Sequence, residues 1–161
     1  MSLDGNIYLR AAFFCERLLK EVNGTPTPVR IMDLIESTLP RDFPSVPALF
    51  VDAEVVFFLG LSSYDFEGRK EITVNIIKPD GSLFAKVGWS ATFQPKHTFH
   101  LDVPMRLDTR CEGMYWGDVF LDGVLLTKVP FEIRHVRQSP RGSDETNSEL
   151  SPSEIQNPTG S

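Results

Sequence analysis

Apolar and polar residues alternate with a period of two through much of the chain. Leu49, Val51, Ala53, Val55, Phe57 and Leu59 fall on one face of a candidate strand. Asp52 and Glu54 fall on the other, beside Phe50 and Phe58. Ile72, Val74 and Ile76 alternate with Glu71, Thr73 and Asn75, and Phe99, Leu101 and Val103 with Thr98, His100 and Asp102. Successive side chains of a strand point to opposite faces, so this is the pattern of half-buried antiparallel strands. Residues 8–22 are ambiguous, because Ala11, Cys15, Leu18 and Val22 also fit one face of a helix. The Asn23-Gly24 pair and the run Val29–Ile31 favour a strand instead, paired with Val29–Glu36 as a hairpin.

Turn residues separate the runs. In Lys78-Pro79-Asp80-Gly81 the proline presets φ and the glycine takes a left-handed position, which links a strand ending near Ile77 to one over Leu83–Ser90. Pro40, Pro44 and Pro47 suit an irregular crossover. Ser62 to Gly68 reads as a polar loop carrying Tyr64 and Phe66. The stretch GMYWGDVFLDGVLLTKVPFEI, residues 113–133, reads as a closing hairpin around Asp122-Gly123. Tyr115, Gly117, Val119 and Leu121 form its inward face, and Tyr115 is placed to act as a corner tyrosine. A strict register past the turn would bury Lys128 and Glu132. One extra residue, a β-bulge near Lys128–Pro130, restores Val129, Phe131 and Ile133 to the core. Trp116 and Phe120 then face the other way. About eight strands at this spacing predict an all-β, two-layer antiparallel sandwich, immunoglobulin-like or C2-like in outline.

Composition divides the chain. Residues 1–137 form the sandwich domain, and residues 138–161, QSPRGSDETNSELSPSEIQNPTGS, form a Ser/Pro-rich acidic tail. Its sizeable apolar groups are Leu150 and Ile155, too few to offset ordering entropy, so the tail is expected to be disordered. The net charge of -6 argues against a DNA-binding surface, which needs clustered cations. Cys15 and Cys111 are far apart and form no Cys-x-x-Cys pair. The apolar run 11–15 is too short for an export signal or a membrane span. A cytoplasmic protein with two free thiols and no membrane contact is expected.

The order AAFFCE, an Asn-Gly turn, PVRIMDLI, a proline-rich crossover, ALFVDAEVVFFL, EITVNIIKPDG and GMYWGDVFLDG resembles an uncharacterised family of small bacterial β-sandwich domains, a domain of unknown function. The resemblance covers about residues 7–136 and rests on turn and core residues. It implies a compact sandwich and brings no activity, cofactor or catalytic residue.

Candidate chemistry is sparse. His97 and His100 are three apart, which on a strand sends them to opposite faces. Cys15 reads as a small core residue, and Cys111 sits between Arg110 and Glu112. Asp65, Asp80, Asp118 and Asp122 are single and scattered, without the paired spacing of a calcium site. No nucleophile elbow, zinc-protease helix motif or phosphate loop occurs. No cofactor, metal or catalytic residue is therefore expected. Aromatic residues offer more. Phe50, Phe58, Tyr64, Phe66, Trp116 and Phe120 are the candidate contacts of a non-enzymatic interaction module, which binds another protein or itself through a sheet face or edge. A binder of sugar or nucleotide-like ligands, stacking them on Trp89, Phe93 or Trp116, is the second reading. A small hydrolase is the least supported.

Overall fold

A computed structural model describes residues 2–3, 7–39 and 52–137. Phe50, most of the proline-rich crossover and the tail 138–161 lie outside the described residues. Ten strands follow in order: β1 (Ser2–Leu3), β2 (Ile7–Lys20), β3 (Pro26–Met32), β4 (Leu34–Leu39), β5 (Asp52–Ser63), β6 (Gly68–Ile77), β7 (Leu83–Phe93), β8 (Thr98–Asp108), β9 (Gly113–Leu121) and β10 (Val124–Arg137). They form two five-stranded sheets. Sheet A runs β1-β2-β5-β8, with β3 also on β2, and sheet B runs β4-β10-β9-β6-β7. Strands β2-β5-β8 packed against β4-β10-β9-β6-β7 follow the immunoglobulin-like order A-B-E against A′-G-F-C-C′, with β1 and β3 added beside β2.

Residues 8–20 are strand, as the turn chemistry favoured. The hairpin with β3 closes through a five-residue loop, Glu21–Thr25, since Lys20 pairs with Pro26. Only Gly24 of the Asn-Gly pair has positive φ. The expected partner strand Val29–Glu36 is broken at Asp33. There the chain leaves sheet A and continues in sheet B as β4, and the Asp33 carbonyl accepts a bond from Glu132 N–H (2.8 Å). β4 runs parallel to β10, so the sandwich is not wholly antiparallel. Staying in sheet A would have denied Ile35 and Leu39 their burial against the core.

The core forms where alternation placed it. Val55, Phe57, Leu59 and Leu61 of sheet A meet Ile72, Val74, Ile76, Val119, Phe131 and Ile133 of sheet B, all 1% exposed or less. Phe14 touches both Phe57 and Phe131, with ring centroids 5.1 and 5.2 Å apart. Gly117 supplies no side chain there, and a Cβ on it would lie 2.8 Å from the Phe57 ring.

The closing hairpin turns at Asp122 and Gly123, both at positive φ, with Leu121 opposite Val124. Its bulge falls at Leu126, two residues before the expected place, so Val119 faces Thr127. The earlier shift buries Leu126 and still turns Lys128 outward. Tyr115 makes the expected corner, its hydroxyl donating to the Cys111 carbonyl (3.1 Å). His135 Nε2 braces the same corner by donating to the Thr109 carbonyl (2.6 Å). The free edges differ. β8 carries Pro104, which blunts pairing, whereas β7 carries no proline.

Two outcomes are expected. Gly117→Ala should destabilise the domain by about 1–3 kcal/mol through overpacking, whereas Gly88→Ala, whose Cβ meets open space, should be neutral or slightly stabilising in urea unfolding. Asp122 binds Lys70 Nζ (2.7 Å) and the Glu71 N–H (2.9 Å). The Lys70 bond, then the Glu71 bond, holds its carboxyl below the ordinary range. A lowered folded-state value contributes stability above the unfolded carboxylate value, about 3.9, which is lost as pH falls through the folded value. Asp122→Asn tolerates the turn and lacks the charge, so its stability deficit should be present at pH 7 and fade below about pH 4.

Candidate functional site

The outward side of β6, β9 and β10 is the most organised surface among the described residues. Alternation that buries Tyr115, Gly117, Val119 and Leu121 turns Met114, Trp116, Asp118 and Phe120 outward. Three cross-strand rows result: Thr73–Phe120–Leu125, Asn75–Asp118–Lys128 and Ile77–Trp116–Pro130. A polar row thus lies between two apolar ones. Lys128 Nζ stands 3.2 Å from Asp118 Oδ2 and 5.7 Å from the Trp116 ring centroid. The Asp118 side chain is only 14% exposed. Its other oxygen and the Asn75 side-chain oxygen are buried without a hydrogen-bond partner. Trp116, Met114, Leu125 and Leu34 are all more than a third exposed and extend the apolar area to β4.

The residues singled out in the sequence fall in separate places. Trp116 and Phe120 share this face, as the alternation required. Phe58 is buried, contrary to expectation: it lies on the outer side of sheet A, stacked on Phe13 (5.0 Å) and against His100 (5.5 Å). Phe66 folds back from its loop onto the core, near Phe93 (6.4 Å), with Lys70 Nζ 5.1 Å from its ring centroid. Phe93 is fully buried and offers no stacking platform, whereas Trp89 on edge strand β7 is half exposed. Tyr64 is exposed on the loop after β5, on a different surface from Trp116. Cys15 is buried, which raises its thiol pKa, and Cys111 is exposed. Among the described residues no group of three or more His, Cys, Asp or Glu gathers as metal ligands. Asp80 accepts bonds from Ser82 in its turn.

Sequence reasoning missed Asn75, Lys128 and Leu125. Their grouping depends on where the bulge falls, although the opposite charges of Asp118 and Lys128 were a usable cross-strand signal.

No protein-family model matches the chain, and no curated protein matches it. Solved structures show loose likenesses. A glycosyl hydrolase family 2 member from Bacteroides cellulosilyticus DSM 14838 is 14% identical over 53% of this chain, with a TM-score of 0.42, and this chain spans 13% of its length. A CARDB domain from Pyrococcus furiosus, solved in complex with di-metal ions, is 14% identical over 78% of this chain and 88% of its own, with a TM-score of 0.41. The alkylpurine DNA glycosylase AlkC from Pseudomonas fluorescens, bound to DNA containing an abasic site analog, is 12% identical over 63% of this chain and 27% of its own, with a TM-score of 0.39. No helix among the described residues is long and apolar enough to cross a membrane.

Removing Lys128 strands a mostly buried carboxylate. Lys128→Ala should therefore cost about 1–2 kcal/mol in urea unfolding. Arg106→Ala, which breaks an ion pair exposed on both sides, should change stability by less than about 0.5 kcal/mol.

Proposed function

We propose that the chain is a non-enzymatic interaction module whose outer sheet B face binds a partner protein. The observation that carries this reading is the pairing of an exposed Trp116 and Leu125 with a nearly self-neutralised Asp118–Lys128 row. Such a face has an apolar centre that gains from burial and a polar row that gives register. The described cavities open elsewhere, on sheet A and at the β2–β3 loop. A flat face with exposed tryptophan suits a protein surface of the usual size, about 800 Å² per partner, better than a small molecule. Chemistry-bearing side chains elsewhere have structural work: Tyr115 and His135 at the corner, Asp80 and Asp122 in turns, and Ser63, which donates to the Phe66 carbonyl. The cytoplasm, where free thiols stay reduced, belongs to this reading.

The test places a photo-crosslinking residue at Leu125 and, as a control, at Lys86, and sediments the purified chain. A defined crosslinked protein from Leu125, lost on Trp116→Ala and kept on Trp89→Ala, is expected. Loss of affinity should be at least about tenfold, as for a buried tryptophan anchor. Crosslinking to a second copy would identify self-association as the use of the face. Unaltered crosslinking in Trp116→Ala would overturn the proposal.

A further inference from the structure

The opposite sheet carries a second feature, built from different residues. Tyr8, Ser62 and Thr98 form one cross-strand row over β2, β5 and β8. Together with Arg10, Tyr64 and Lys96 they line a cavity of about 230 Å³. That is smaller than the sites that enclose drug-sized molecules, about 300–1,000 Å³.

Both cations are presented by backbone irregularities. Arg10 is the extra residue of a bulge in β2, between the pairs Leu9–Leu61 and Ala11–Gly60. A bulge re-aims a side chain and shifts the alternation by one residue, here from Ile7 and Leu9 inward to Ala12 and Phe14 inward. Lys96 sits at φ 60°, an uncommon conformation for a residue with a Cβ. Its turn is fastened to the end of β5 by Lys96 N–H to Tyr64 O (3.0 Å) and Ser63 N–H to His97 O (2.9 Å). Strain of this kind gathers at binding sites.

Eight lysines and arginines pair with carboxylates. Among the described residues Arg10, Arg17, Lys78, Lys86 and Lys96 form no ion pair. Of these, Arg10 and Lys96 come together in one cavity, whose lining holds no carboxylate. Burial, then the charges of Arg10 and His97, lowers the pKa of nearby His100, which is consistent with a locally positive field. The hydroxyls add donors. Ser62 Oγ accepts from Arg10 (3.5 Å) and lies 3.1 Å from Thr98 Oγ1. Whichever hydroxyl donates in that pair, one hydroxyl hydrogen is left for a ligand.

We propose that this cavity binds the tetrahedral oxyanion of a small phosphate or sulfate monoester, with the Tyr8 and Tyr64 rings against its flat apolar body. Guanidinium, ammonium and hydroxyl donors match such an oxyanion, and the rings match an aromatic carrier. The inference is independent of the protein-binding face.

Phenyl phosphate, phenyl sulfate, inorganic phosphate and phenol serve as probes, followed by backbone amide shifts and calorimetry on the full chain. Shifts at Ser62, Tyr64, Lys96 and Thr98 are expected with the phenyl esters, whose relative affinities show which oxyanion is preferred. Arg10→Gln and Lys96→Asn, which tolerates the left-handed backbone, should each weaken binding about tenfold, while Lys86→Gln on the other sheet leaves it unchanged. Melting curves confirm that the variants fold. The proposal fails if the esters move none of these amides, if phenol or inorganic phosphate binds as tightly as the esters, or if Lys86→Gln weakens binding as much as Lys96→Asn.

Discussion

The Phe57 ring lies against the backbone of Gly117, and much of the molecule is arranged around that contact. Two sheets can approach this closely only where one of them has no side chain to offer. Phe14 packs on Phe57 and on Phe131, and Tyr115 packs on Phe131 toward the corner. Because β9 is held through Gly117, its alternation is held too. Tyr115, Val119 and Leu121 must face inward, which commits Trp116, Asp118 and Phe120 to the outer face of sheet B. The candidate protein-binding face is in this sense a by-product of core packing.

Bulges reconcile long strands with two different environments. β10 has fourteen residues, and β2 has fourteen. Strict alternation over that length would put a charge in the core or an apolar residue in water. The bulge at Leu126 corrects β10 and delivers Lys128 to Asp118. The one at Arg10 corrects β2 and delivers a cation to the tyrosine-lined cavity. Each irregularity therefore has a phase-keeping role, and the unusual surface side chains stand beside these corrections.

Much of this was legible in the residues. The alternation of β5, β6, β8 and β9 gave the core faces, the Asp-Gly and Pro-Asp-Gly turns gave their connections, and the corner role of Tyr115 could be read before any coordinates. The bulge in β10 was legible as a necessity but not in position, because Leu126, Lys128 and Pro130 each satisfy a one-residue shift and only packing chooses among them. The break at Asp33 was missed: Met32-Asp33-Leu34 interrupts the alternation of Val29–Glu36, but no proline or glycine marks a change of sheet. Phe58 and Phe66 misled for a related reason. Sequence gives the side of a strand or loop, whereas whether an aromatic on that side stays exposed depends on distant neighbours such as Phe13, His100 and Phe93. The grouping of Arg10 with Lys96 joins residues 86 positions apart and had no local signature.

The switch of sheets at Asp33 also decides how the domain bears load. β4 and the end of β10 run in the same direction over six paired residues, Leu34 to Leu39 against Glu132 to Arg137. Tension entering at the start of β4 and leaving past Arg137 pulls these strands in opposite directions along their length. Their ladder of hydrogen bonds is then sheared together and cannot be opened one at a time from an end. Among the described residues every other ladder is antiparallel, so this pair is the clamp suited to resisting stretch.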